Sequence, residues 1–290
     1  MFKRTVCVVA VWCLAFAWPV WAQPLTERVE MFDAELSKWE IWIGVPHPTV
    51  QDLPPGTPTS KNFHKGQPMG LGNDPKNVFS MIEEDGRPVL KVTGEIYGGL
   101  TTRDAYEDYH LSVEFKWGEK KWEPRLNRKR DSGILYHCYG KHGVSANSWK
   151  ASLEYQVQEK DLGDYIGLGG SKAKARVSRP IRGEKLKYDP QSDDIQLIRY
   201  YTQASAEPDY PNGQWNRLDV YIKGDRAVHA VNGEVVFVLF DAIDGKGKPL
   251  RRGQIQLQGE GAVCFYRDMV LTPIGEAELP AEVAERLENP

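Results

Sequence analysis

An alternation of apolar and polar residues with period two, repeated down most of the chain, limits what this sequence can fold into. Leu111, Val113, Phe115 and Trp117 alternate with Ser112, Glu114 and Lys116. Successive side chains of an extended strand point to opposite faces, so such a segment has one core face and one polar face. The same pattern recurs at 133–139 and 153–158, and again at 215–222, where Leu218, Val220 and Ile222 oppose Arg217, Asp219 and Tyr221. Segments 89–92, 94–97, 254–258 and 262–271 also read as strands. Between 227–231 and 234–240 stands Asn232-Gly233, the strongest short signal for a two-residue hairpin, because both positions tolerate positive φ.

Many antiparallel strands, frequent turns and no βαβ periodicity predict an all-β fold: a two-sheet antiparallel β-sandwich of jelly-roll type. Helix is expected only at the ends, at 25–35 and 280–287. Six prolines between Pro46 and Pro68 keep 44–76 out of any central strand or helix and make it a wrapped surface loop.

Lys3 and Arg4 precede an apolar run to Phe16, and Val20-Trp21-Ala22 offers small residues for cleavage. Residues 1–22 therefore read as a secretory signal peptide, with 23–290 as one exported β-sandwich domain, periplasmic or secreted. Without the leader the 37 Lys+Arg become 35 against 40 Asp+Glu, and the formal charge moves from −3 to −5. No basic excess is left to hold nucleic acid, and no membrane span is expected after cleavage. Only Cys138 and Cys264 remain, and whether they pair is open.

Residues two apart share a strand face, so Glu154, Gln156 and Gln158 line up, as do Glu114 with Lys116 and Gln256 with Gln258. Such rows are either a solvated sheet face or, if several converge beside aromatic rings, the hydrogen-bonding surface a sugar needs. His137, in the charged stretch from Arg125, is a base, a metal ligand or a packed core residue. The histidines have no metal spacing, there is no acidic calcium loop, and nucleophile-elbow, dinucleotide and phosphate-loop patterns are absent, so no cofactor or metal is expected. Ordinary glycoside hydrolysis needs two carboxyls about 5–10 Å apart. Glu154 and Glu159 face opposite sides of a regular strand, and Glu154 with Glu114 or Asp131 across neighbouring strands stays open.

Six segments together resemble the 3-keto-disaccharide hydrolase domain family: MFDAELSKWEIW from Met31, the stretch from Gly94 to Trp122, RDSGILYH from Arg130, LEYQVQEKD from Leu153, the stretch from Trp215 to Val236, and GQIQLQGEGAVCFYRDMVL from Gly253. The resemblance implies a concanavalin A-like jelly roll acting on oxidised (3-keto) disaccharides or glycosides, by hydrolysis or elimination. It maps the family's Glu-x-Gln strand onto Glu154 and Gln156, and a polar position onto Asp131. His137 stands where the family often has Arg, and Glu260-Gly261 where it often has His-Gly. The insert 118–130 is longer than in compact members and is expected to rim the site. On this reading Glu154 is the general base with His137 the second choice, and Lys116, Asp131, Gln156, Gln258, Glu114 and Arg103 contact substrate. The alternative is a non-catalytic carbohydrate-binding module using the same face.

Overall fold

The computed structural model describes residues 25–179 and 185–290; the leader expected at 1–22 lies outside them. Two antiparallel sheets face each other. One runs, edge to edge, β12 (Lys187–Tyr188), β11 (Lys172–Ser178), β16 (Glu234–Ile243), β15 (Arg226–Val231), β14 (Asn216–Lys223), β7 (Tyr109–Lys121), β18 (Ala262–Pro273), β5 (Arg87–Val92) and β4 (Phe79–Glu84), with β1 (Val29–Glu30) on β18 and β13 (Ile195–Ile198) on β11. The other runs β10 (Tyr165–Leu168), β9 (Ala151–Gln158), β8 (Asp131–Tyr139), β17 (Gln254–Gly259), β6 (Gly98–Thr102), β2 (Trp39–Ile43) and β3 (Gly70–Leu71). This is the two-sheet jelly-roll sandwich that the alternation predicts.

The apolar halves of the strands meet between the sheets. Leu111, Val113 and Phe115 of β7 pack with Tyr155 and Val157 of β9, Ile134 and Tyr136 of β8, and Leu257 of β17 in a core that draws on residues from Met31 to Leu287. Each fully buried Leu, Val or Phe contributes roughly 1.5–3 kcal/mol, an upper estimate because unfolded chains already bury some surface. At the predicted hairpin Asn232 has φ 51° and Gly233 φ 87°, the two positive values a type I′ turn requires.

Two local expectations fail. Residues 25–35 form no helix; Val29 and Glu30 pair instead with Leu271 and Val270, since so short a helix is marginal alone and edge pairing satisfies the backbone better. Residues 94–97 are a loop entering β6, where Gly94 has φ 65°. The C-terminal helix forms as α1 (Ala281–Glu288) and sets Val283 and Leu287 against the larger sheet. It is far too short to cross a membrane, and no described helix is long and apolar enough to do so. Cys138 and Cys264 are both buried and unpaired.

Candidate functional site

β9 is buried on both faces: Leu153, Tyr155 and Val157 in the core, and Glu154 and Gln156 on the opposite side at 3% exposure each. A solvated outer sheet face would leave those polar groups open to water. Here Asp131 on β8, Gln256 and Gln258 on β17, and Glu260 just after it are covered as well. Polar side chains pointing away from the core and still excluded from water require partners or a ligand.

Register assembles the cluster. Asp131 pairs with Gln158 on one side and bridges to Glu260 on the other, and Gly133 lies opposite Gln156. Gly133 is the space-maker, because a Cβ there would run into Glu154 Oε1 and lie 2.7 Å from Gln258 Oε1. Gln158 Nε2 donates to Asp131 Oδ2 at 2.7 Å, and the Ser132 N–H donates to Oδ1 at 3.1 Å. Gln256 is committed to the scaffold, donating to Thr101 Oγ1 and accepting from the Lys150 N–H. Gln156 Oε1 and Gln258 Oε1 are buried without a protein partner, so each keeps its capacity to accept a hydrogen bond.

The charge that balances these acids comes from the 118–130 insert. β7 continues into it as far as Lys121, Trp122 then donates its N–H to Gly261 O, and Arg125 reaches down to form ion pairs with both Asp131 and Glu260. The Tyr97 side chain contacts the same guanidinium. Burial first, then the charges of Glu260 and Asp131, push the Glu154 carboxyl well above its usual range, with Arg125 and Gln258 acting the other way. Burial raises Asp131 and Glu260 too, against the pull of Arg125. One guanidinium serves three buried carboxyls, and Glu154 is the one without an ion pair. Burial without a paired cation therefore favours its protonated form.

Of the residues singled out from sequence, Glu154, Gln156, Asp131 and Gln258 come together here. The others do not. His137 is displaced by a register shift between Tyr136 and Tyr139: with φ 52° it turns off the shared face, and Cys138 takes the outward position next to Leu135. Its fully buried ring is pulled down to about 4, mainly by burial, with Gly224, Asp108 and Asp225 as its surroundings. Glu114 and Lys116 lie on the outer face of the other sheet, paired with Arg267 and Glu84. Arg103 Nε donates to Ser37 O beside β2.

Sequence reading missed Arg125, because a loop residue carries no periodic signal. It also passed over Lys150, which continues the even-numbered row of β9, is buried, and donates from Nζ to Gly140 O at 2.7 Å. Glu260 continues the 256–258 row by one step. No set of three or more His, Cys, Asp or Glu side chains among the described residues is arranged to hold a metal ion.

A buried carboxyl of high proton affinity, a fixed cation and amide acceptors within one cluster suit proton abstraction next to a carbonyl, with the resulting negative charge held in place. Residues 27–272 match the family model described as a 3-keto-alpha-glucoside-1,2-lyase-like domain. No curated protein matches the chain. Among solved structures, similarity extends to a candidate glycosyl hydrolase from Parabacteroides distasonis ATCC 8503, at 16% identity and TM-score 0.46, covering 84% of this chain and 98% of that one. A Bacillus subtilis protein of unknown function with a galectin-like fold is similar at 12% identity and TM-score 0.42, covering 87% and 97%. The alginate lyase AlgAT5 of polysaccharide lyase family 7 is similar at 10% and 0.38, covering 84% and 98%.

Proposed function

The chain belongs to the 3-keto-alpha-glucoside-1,2-lyase-like family of carbohydrate-active proteins, and from that premise we propose that it cleaves the glycosidic bond of 3-keto glycosides by C2 deprotonation and elimination. The observation that carries this reading is the Glu154 carboxyl, buried and without an ion pair beside the Arg125 guanidinium.

A ketone at C3 acidifies the C2 proton. Ionised Glu154 takes that proton, and the C–H electron pair moves into an enolate whose oxygen is held by Arg125 and the Tyr97 hydroxyl. Collapse of the enolate forms the C1–C2 double bond and breaks the bond from C1 to the leaving oxygen, to which the Glu154 proton is returned. Addition of water to the enone then gives net hydrolysis. Gln156 and Gln258, with unpartnered carbonyl oxygens, accept hydrogen bonds from the remaining ring hydroxyls. No second catalytic carboxylate is needed, which fits a cluster in which Asp131 and Glu260 are tied to Arg125. Export through the leader at 1–22 belongs to the same reading.

Purified Glu154→Gln should lose turnover on a 3-keto disaccharide by roughly 10²–10⁴-fold, the usual contribution of a positioned general base, while remaining folded. Undiminished activity removes Glu154 as the base, and equal cleavage of the unoxidised parent disaccharide removes the keto-dependent chemistry.

A further inference from the structure

On the far side of the molecule the outer face of the larger sheet carries a pocket of about 490 Å³, a size within the ordinary range for small-molecule sites. Its floor is built from the polar halves of β7 and β14. His110 stacks on Tyr221 with ring centroids 4.1 Å apart and planes 9° from parallel. Asp219 accepts from His110 Nε2 at 2.7 Å and from Arg217 Nε at 3.0 Å. The Trp215 ring is fixed by cations, with Arg267 at 3.9 Å and Lys116 at 4.6 Å from its centroid.

Cross-strand ion pairs on a sheet are commonplace and by themselves mark a solvated surface. Two features set this face apart. Beyond the two strands, Tyr210, the Asn232-Gly233 turn, and Glu278 and Pro280 ahead of α1 also line it. Tyr210 is also a large aromatic side chain left 51% exposed at the rim, where a planar apolar face is available for stacking.

The charges identify the ligand class. Arg267 is matched by Glu114, Lys116 by Glu84, and Arg217 by Asp219. With each of these cations already paired, the pocket offers no free positive charge to a phosphate, a nucleotide or an acidic sugar. It offers aromatic surface and hydrogen-bonding groups on rigid strands, the combination that binds a neutral pyranose by stacking and bidentate polar contacts.

We propose that the Tyr210–Trp215–Arg217 pocket is a second, non-catalytic binding site for neutral oligosaccharide, on the opposite face of the sandwich from Glu154. This rests on the carbohydrate-active assignment and not on the 3-keto chemistry. Its role would be to keep the protein on a glycan while the other face acts.

Titration calorimetry of the full chain with unoxidised cellohexaose and maltohexaose, for wild type, Tyr210→Ala and Arg217→Gln, tests the proposal. At least one hexaose should bind wild type, and each variant should weaken that binding by about tenfold or more, roughly 1.4 kcal/mol. Both variants should keep wild-type melting temperatures and kcat/KM on a 3-keto disaccharide within about twofold of wild type. Wild type binding neither hexaose, or both variants binding as well as wild type, overturns the proposal. Lack of turnover on keto substrates by every form refutes the elimination chemistry instead and leaves the hexaose result to be judged separately.

Discussion

Replacing Arg125 by Met removes the cation shared by Asp131 and Glu260 while keeping most of the side-chain volume. The Arg125 side chain is 17% exposed and its partners 5% and 8%, so solvent screens the ion pairs little. Breaking a buried pair by deleting one partner costs about 3–5 kcal/mol. At about 2 °C per kcal/mol for a chain of this size, the melting temperature should fall by roughly 6–10 °C near neutral pH.

The loss should also depend on pH. Both carboxyls already sit above their usual range, and without Arg125 they move higher. Between the unfolded and the native values the native state then binds more protons than the unfolded state, so stability falls as pH rises. Thermal melts of wild type and Arg125→Met at pH 5.5 and pH 8 should show a gap that widens with pH. A gap below about 1 kcal/mol, or the same gap at both values, would refute the account of Arg125 as the charge holding the site closed.

Glu154→Gln removes a buried carboxyl whose native pKa is raised, a group that costs stability as pH climbs above the usual carboxylate range. Its melting temperature relative to wild type should therefore rise between pH 5.5 and pH 8. In wild type, kcat/KM should rise with pH as Glu154 ionises, and a flat profile across that range would count against Glu154 as the titrating base. Gly133→Ala pushes a methyl into Glu154 Oε1 and should cut kcat/KM by about tenfold or more while the far-ultraviolet circular dichroism stays native; activity within about twofold would mean the carboxyl need not occupy that space. His137→Asn, which tolerates the positive φ of 52° there, should leave kcat within about threefold, since the ring faces away from the cluster. A loss above about a hundredfold would restore His137 as a candidate base.

Alternation makes the strand faces legible, and it marks out the Glu154–Gln156 row. It could not say to which of the two outer faces a row belongs. Glu114 with Lys116 and Glu154 with Gln156 look alike along the chain, yet β7 lies in one sheet and β9 in the other, because sheet membership is set by long-range pairing. Nor could it foresee the bulge between Tyr136 and Tyr139. A single extra residue reverses every later side chain of the strand, and it moved His137 off the site and Cys138 toward it. Arg125 was hidden for a third reason: its position is decided by the two acids that receive it, 6 and 135 residues further along.

The Lys116–Glu84 ion pair has a meaning at the margin of the sheet. Glu84 closes β4, the last strand on its side, and Glu83 precedes it. An unpaired strand edge is a template on which another chain can add. Here its end is occupied by charge, one member of which is tethered back to β7. The opposite margin is made by the two-residue β12 and the four-residue β13, both on β11, and the smaller sheet ends in the two-residue β3 and the four-residue β10. Among the described residues the outer strands thus offer only short open ladders for a second copy to extend, apart from β4, and Lys116, which the sequence suggested as a substrate contact, serves to blunt that longer edge.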